Sequence, residues 1–285
     1  KKFPRTRIFA VASVAVAAFM MCLPLHAAEP GAAKDLTDLS LEELMEIPIY
    51  AASRHAQKVA EAPSAVTVIT RDDILRYGYR TLADVFRAAR GFLVTYDRTY
   101  DYIGVRGFGR PSDYGNRLLV MVDGHRMNDP LYGAATFGTE GILDLNLIER
   151  IEIIRGPGSS VYGDNAFFGV VNIVTRRGSD IDGGEIGAAY GAYDMYSGRL
   201  TYGTRAKSGL DFTVSGAIYG NPGAASFLYP EYADIDGGLT TSPDRDKAYS
   251  FFATLRYSDF TLQGAFVNRH KQDPTGGYDT VFDYP

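Results

Sequence analysis

The chain has 285 residues, 46% hydrophobic and 22% charged, so it is long enough to bury a sizeable core. Cys22 is its sole cysteine, which excludes a disulfide framework and a thiol-based metal site. The net charge of −5, which loses four cations and falls to −9 once residues 1–27 are removed, argues against nucleic acid as a partner. Twenty tyrosines and 16 phenylalanines against no tryptophan, with 31 glycines, suit β structure and aromatic girdles.

The first segment reads as a secretory signal peptide over residues 1–27. Lys1, Lys2, Arg5 and Arg7 form a charged start, residues 8–22 a small and apolar run, and Ala27 and Ala28 offer the cleavage site. The run is shorter than the roughly 20 residues a membrane-spanning helix needs. Phe19, Met20 and Met21 stand before Cys22 where a lipoprotein signal would carry small residues. The sequence starts at Lys1 without Met and stops at Pro285 in a polar run, so it reads as a segment of a longer protein.

Residues 28–60 read as a polar leader. Ser40 and Glu43 have capping-box spacing before a short helix whose Leu41, Leu44 and Met45 share a face. Ile47, Pro48, Ile49, Tyr50, Ala51, Ala52 and Ser53 favour extension, because β-branched and aromatic residues prefer it and Pro48 biases Ile47 away from the helical region.

Residues 61–178 read as a small α+β domain. SAVTVI (64–69) alternates like a strand. Thr70 then caps a helix with Asp72 and Asp73 in its first turn, ending at Gly78. Thr81 starts a second helix, LADVFRAAR, with Gly91 just past its end, and Leu82, Val85, Phe86 and Ala89 form its apolar stripe. Strands follow over 92–96, 103–106 and 118–122, and Asp123-Gly124 supplies a tight turn. In RIEIIR, Ile151 and Ile153 alternate with Glu152 and Ile154, the period of a strand with unequal faces. Gly156, Pro157 and Gly158 end that strand, and the run Val170 to Val174 is apolar enough to be buried on both sides.

From residue 182 the texture changes. Leu210, Phe212, Val214 and Ile218 alternate with Asp211, Thr213, Ser215 and Ala217. Tyr249, Phe251, Ala253, Leu255 and Tyr257 alternate with Ser250, Phe252, Thr254, Arg256 and Ser258, and Phe260, Leu262 and Phe266 with Thr261, Gln263 and Ala265. This is the apolar-out, polar-in pattern of transmembrane barrel strands. Five are predicted, over 184–193, 197–206, 209–220, 247–257 and 260–270. Short connections fall near Lys207 and Ser258, with a long one over 221–246. Closed transmembrane barrels have eight strands or more. Five cannot close, and an open edge in lipid strands its backbone polar groups, so residues 182–285 read as the incomplete start of a barrel.

Three motifs in order carry a resemblance. IGVRGFG (103–109), RLLVMVDGHRMNDP (117–130) and IERIEIIRGPGSSVYGDNAFFGVVNIVT (148–175) are similar to the plug domain of TonB-dependent outer-membrane receptors. The resemblance implies an α+β plug inside the lumen of a Gram-negative outer-membrane barrel, which in plugged transporters has about 22 strands when complete. It places the TonB box at residues 47–53, named above, which would add as a strand to the periplasmic domain of TonB. It assigns Arg106 and Arg155, with Glu152 as a local member, to a charged lock between plug and barrel. Tyr96, Arg98, Tyr100, Tyr102, Arg110, Tyr114 and Tyr132 cluster around loops facing the exterior. They suit an anionic, aromatic ligand such as a ferric siderophore. The expected activity is energised import, with cobalamin, haem or an oligosaccharide as other cargoes and an adhesin or passive porin as the reading of a different class. The expected partners are TonB, the small ligand and outer-membrane lipid. No cofactor, no resident metal and no catalytic residue is expected. His55, His125 and His270 are too far apart for a local metal motif, and GPGSS lacks both a nucleophile elbow and a phosphate loop.

Overall fold

The computed structural model describes residues 48–49, 57–58, 65–110, 112–241, 244–278 and 281–283. The signal peptide, the short leader helix and the remaining residues of 47–53 lie outside the described residues. The first described elements are β1 (Pro48–Ile49) and β2 (Gln57–Lys58), a two-residue antiparallel ladder.

The plug is built on a five-stranded sheet. β3 (Ala65–Thr70) leads into α1 (Arg71–Tyr77), and α2 (Leu82–Ala88) follows. Both helices start with a reciprocal capping box: Thr70 with Asp73, and Thr81 with Asp84. Each box satisfies amides that the first turn would otherwise leave orphaned, worth about 1 kcal/mol. Gly78 closes α1 in the left-handed conformation at φ 65. The second helix stops earlier than its sequence suggests, at Ala88, because Ala89 is already extended and Gly91 (φ 83) serves the turn into the next strand.

β4 (Phe92–Tyr96) and β5 (Asp101–Val105) form a separate hairpin. β6 (Leu118–Val122) turns through Asp123 and Gly124, both at positive φ, into β7 (His125–Arg126). After β8 (Ile148–Arg155), the short α3 (Ser159–Tyr162) precedes β9 (Gly169–Thr175). The sheet order is β3-β8-β9-β6-β7, antiparallel except for the parallel pair β6 with β9. On one face Ile74, Val85 and Phe86 of the helices, with Phe137, pack on Leu118, Val120, Ile151, Ile153, Val171 and Ile173. On the other, Tyr162 and Ala166 cover Leu119, Met121, Ile154 and Val170.

With that second layer, Ile151 to Ile154 of β8 are buried on both faces. Glu152, in the middle of β8, is fully buried. It accepts from Arg150 Nε at 2.9 Å and from Asn172 Nδ2 at 3.2 Å, so the charge is paired rather than stranded.

A short α4 (Gly178–Ile181) joins the plug to the wall. The wall is an antiparallel meander of β10 (Gly183–Tyr190), β11 (Tyr196–Arg205), β12 (Asp211–Asn221), β15 (Asp246–Tyr257) and β16 (Phe260–Lys271). The long connection carries a small extra ladder, β13 (Phe227–Leu228) with β14 (Leu239–Thr240), that alternation did not announce. Inward Thr201, Asp211, Thr213, Ser215, Asp246 and Thr254 are buried against the plug, whereas Ile186, Leu200, Ile218, Phe251, Leu262 and Phe266 are exposed. Tyr190, Tyr196 and Tyr249 ring the long-connection end of that outer face, and Tyr257 and Phe260 the short-turn end. Those are the two girdles of a membrane-spanning wall. Phe252 breaks the polar column. It points inward and joins the plug core.

Candidate functional site

The β4–β5 hairpin carries its loop, residues 97–100, to the long-connection end of the wall. Its aromatic residues converge there. Tyr114 meets Tyr100 and Tyr102 edge-on at 5.8 and 5.5 Å, and Tyr278, from the segment after β16, meets Tyr100 at 5.9 Å. The Tyr102 and Tyr278 hydroxyls lie 2.8 Å apart and both donate to Asp97 Oδ2. Burial works to raise the Asp97 carboxyl, but the Tyr100 amide, the two hydroxyls and the Thr99 amide outweigh it, so it sits below its ordinary value. Burial and the neighbouring Asp97 push the Tyr102 hydroxyl well up, which keeps it a donor.

Arg98 extends the cluster to the wall. Its guanidinium lies 3.2 Å from Asp244 and 4.2 Å above the Phe227 ring, while Tyr96 donates to the Arg98 carbonyl at 2.6 Å. The outer connections are tied together as well. Phe282 stacks on Tyr232 at 4.4 Å, and Thr240 donates to Asp283. Of the seven residues the sequence grouped, Tyr96, Arg98, Tyr100, Tyr102 and Tyr114 are brought together. Arg110 and Tyr132 are exposed elsewhere on the plug surface, Tyr132 on a turn organised by Asp129. Asp97, Phe227 and Tyr278 complete the cluster. An aspartate in a loop and two aromatics more than a hundred residues away carry no local sign of it.

Plug and wall are joined by charge at both ends. Near the long connection, Arg269 chelates Asp246 at 2.9 and 3.0 Å, donates to the Thr99 carbonyl at 2.7 Å and lies 3.4 Å from Glu140. Thr139 donates to the same Asp246 at 2.7 Å. At the short-turn end, Arg176 forks onto Glu185 at 2.8 and 2.9 Å, and Arg199 joins at 3.3 Å. The arginines singled out from the sequence sit differently. Arg155 donates to the Arg90 carbonyl at 3.1 Å, and its buried Nε has no hydrogen-bond partner among the described residues. Arg106 is exposed at φ 52, with its amide on the Gly91 carbonyl at 2.7 Å.

The sequence model of the TonB-dependent receptor plug domain matches residues 58–170. A curated relative, the iron-regulated outer membrane virulence protein of Vibrio cholerae, is 36% identical over 136 residues. That match covers 46% of this chain and 20% of the relative, so the chain spans about a fifth of its length. Among solved structures, the ferripyoverdine receptor of the Pseudomonas aeruginosa outer membrane aligns with a TM-score of 0.58 at 19% identity, over 78% of this chain and 27% of that one. The ferric yersiniabactin uptake receptor of Yersinia pestis aligns at 0.51 and 20% identity, over 72% and 31%. At such identities the likeness is one of fold, a lumen plug continuing into a barrel wall. Residues 58–170 are matched as the plug domain of the TonB-dependent receptors, a family of the Gram-negative outer membrane, and the strands that follow share the fold of the first part of such a receptor's barrel.

Proposed function

We propose that the chain is the leading part of a receptor that imports a ferric siderophore across the outer membrane, driven by TonB. The observation that carries this reading is the aromatic and arginine cluster on the β4–β5 loop, at the end of the wall bearing the long connection. Tyrosine faces, phenolic donors and a guanidinium together recognise an anionic aromatic chelate through stacking, hydrogen bonds and charge. The iron-regulated relative and the siderophore receptors among the structural neighbours support the cargo class.

Residues 47–53 are the proposed contact for TonB. Pro48–Ile49 already pairs with Gln57–Lys58 over two residues, a ladder short enough to yield to a partner's sheet edge. Arg106 and Arg155, with Glu152 beneath, are proposed to face carboxylates of wall strands other than the five described here, and the unsatisfied Arg155 Nε supports this. Deleting residues 47–53 from the full-length receptor tests the reading. Ferric siderophore binding is expected to persist while energised uptake disappears. Uptake unchanged by the deletion refutes it.

A further inference from the structure

The turn after β6 does more than reverse the chain. Asp123 sits at its tip with φ 48, and its carboxylate accepts from four donors. Two belong to the plug: the Thr175 amide at 2.8 Å and the Thr175 hydroxyl at 2.7 Å. Two belong to the wall: Arg256 Nη2 at 2.8 Å and Gln263 Nε2 at 2.7 Å. Oδ1 takes the Thr175 amide alone, whereas Oδ2 accepts the Thr175 hydroxyl, Arg256 and Gln263 together, so one oxygen bridges plug and wall.

Arg256 extends the connection. Its Nη2 also donates to the Thr175 hydroxyl at 3.0 Å, and its Nη1 lies 4.0 Å from Asp211. Asp211 in turn accepts the Gly178 and Ser179 amides at 2.8 and 3.0 Å, where the chain leaves the plug. One wall guanidinium thus stands between a carboxylate of the plug's β6–β7 hairpin and the carboxylate that caps the plug's exit. The Arg256 and Asp123 side chains are only 19% and 16% exposed, so solvent screens the pair weakly.

We propose that Asp123 and Arg256 form a clasp seating the plug's β6–β7 hairpin against β15 and β16, and that the seal of the lumen depends on it. Bonds of this charged kind are roughly twice as strong as neutral ones, and removing one partner leaves the other desolvated without compensation. An asparagine at 123 keeps the shape but removes the charge that faces Arg256, and its NH2 group sets a donor against either the Thr175 amide or the Arg256 and Gln263 donors. The clasp involves neither cargo nor TonB, and its test is independent of the import reading.

The test is passive permeation of a small solute through the purified full-length receptor in liposomes, without ligand. Asp123→Asn and Arg256→Gln are each expected to raise it about tenfold, with the double variant no leakier than the worse single, as partners in one interaction behave. Gln263→Leu is expected to raise it less. Arg256→Gln and Gln263→Leu leave the plug sequence intact, and heat-modifiable mobility confirms the barrel. Singles as tight as the parent, or effects that multiply in the double variant, overturn the proposal. A leak in Asp123→Asn with both wall variants sealed does so too, since it assigns the effect to the turn itself.

Discussion

Gly178→Ala isolates the close approach between the plug's exit and the wall. A Cβ at this position would stand 2.2 Å from the Phe212 carbonyl oxygen, 2.5 Å from that of Thr204 and 2.8 Å from the Thr204 amide nitrogen. All three atoms belong to the backbone of paired wall strands and cannot swing aside. Relief requires α4 to back away by roughly 1 Å, since well-packed neighbours do not absorb an added methyl. Such a shift stretches the 2.8 and 3.0 Å bonds from Gly178 and Ser179 to Asp211 past useful length. Losing two charge-assisted bonds in part, with the overpacking itself, amounts to about 3 kcal/mol. That is roughly a hundredfold in the local opening equilibrium. Hydrogen exchange of the amides of residues 178–182 in the full-length receptor reads it directly. Gly184→Ala is the control, because a Cβ there meets nothing within 4 Å. Exchange in Gly178→Ala within about twofold of the parent, or equal acceleration in the control, would show that the approach to the wall does not govern this segment.

Asp101 provides a pH test. Burial raises its carboxyl to about 6, overcoming the lowering by Arg87 at 2.7 Å, with Glu140 and Asp84 adding to the rise. The folded state therefore holds this proton more tightly than the unfolded chain, so the contribution is full at low pH and is lost as pH climbs from about 4 through 6. Parent stability, read as a urea midpoint for plug unfolding, is expected to fall more steeply over that window than in Asp101→Asn, and equal slopes refute the assignment. Thr81→Ala removes the acceptor for the Asp84 amide at the start of α2 and is expected to cost the plug about 1 kcal/mol, measured in the same unfolding assay.

The wall was legible because its residues obey a local rule. A strand with lipid on one side and a polar lumen on the other must alternate, and the five strands lie within a few residues of where alternation put them. The helix starts at Thr70 and Thr81 were legible for a similar reason, since cap chemistry acts within four residues, although the reciprocal bonds from Asp73 and Asp84 emerged only in the fold. What escaped is non-local. Glu152 reads as part of the less apolar face of a strand, with no local sign that it is fully buried beside Asn172, 20 positions further on. Asp123 reads as a turn residue, although its partners stand 133 and 140 positions further on. The aromatic cluster was half visible: Tyr96 to Tyr114 are neighbours in sequence, whereas Phe227 and Tyr278 arrive from wall connections.

Phe252 bears on biogenesis. The plug is synthesised before the wall, yet its apolar interior counts this ring, supplied by the fourth strand of the wall meander, among its members. Until that strand is in place the earlier-made domain has an aromatic-sized notch open to water, and it reaches its final compactness only around the time the bilayer-facing sheet is laid down. Maturation of the two parts is thereby coupled, with the ring acting as a late keystone.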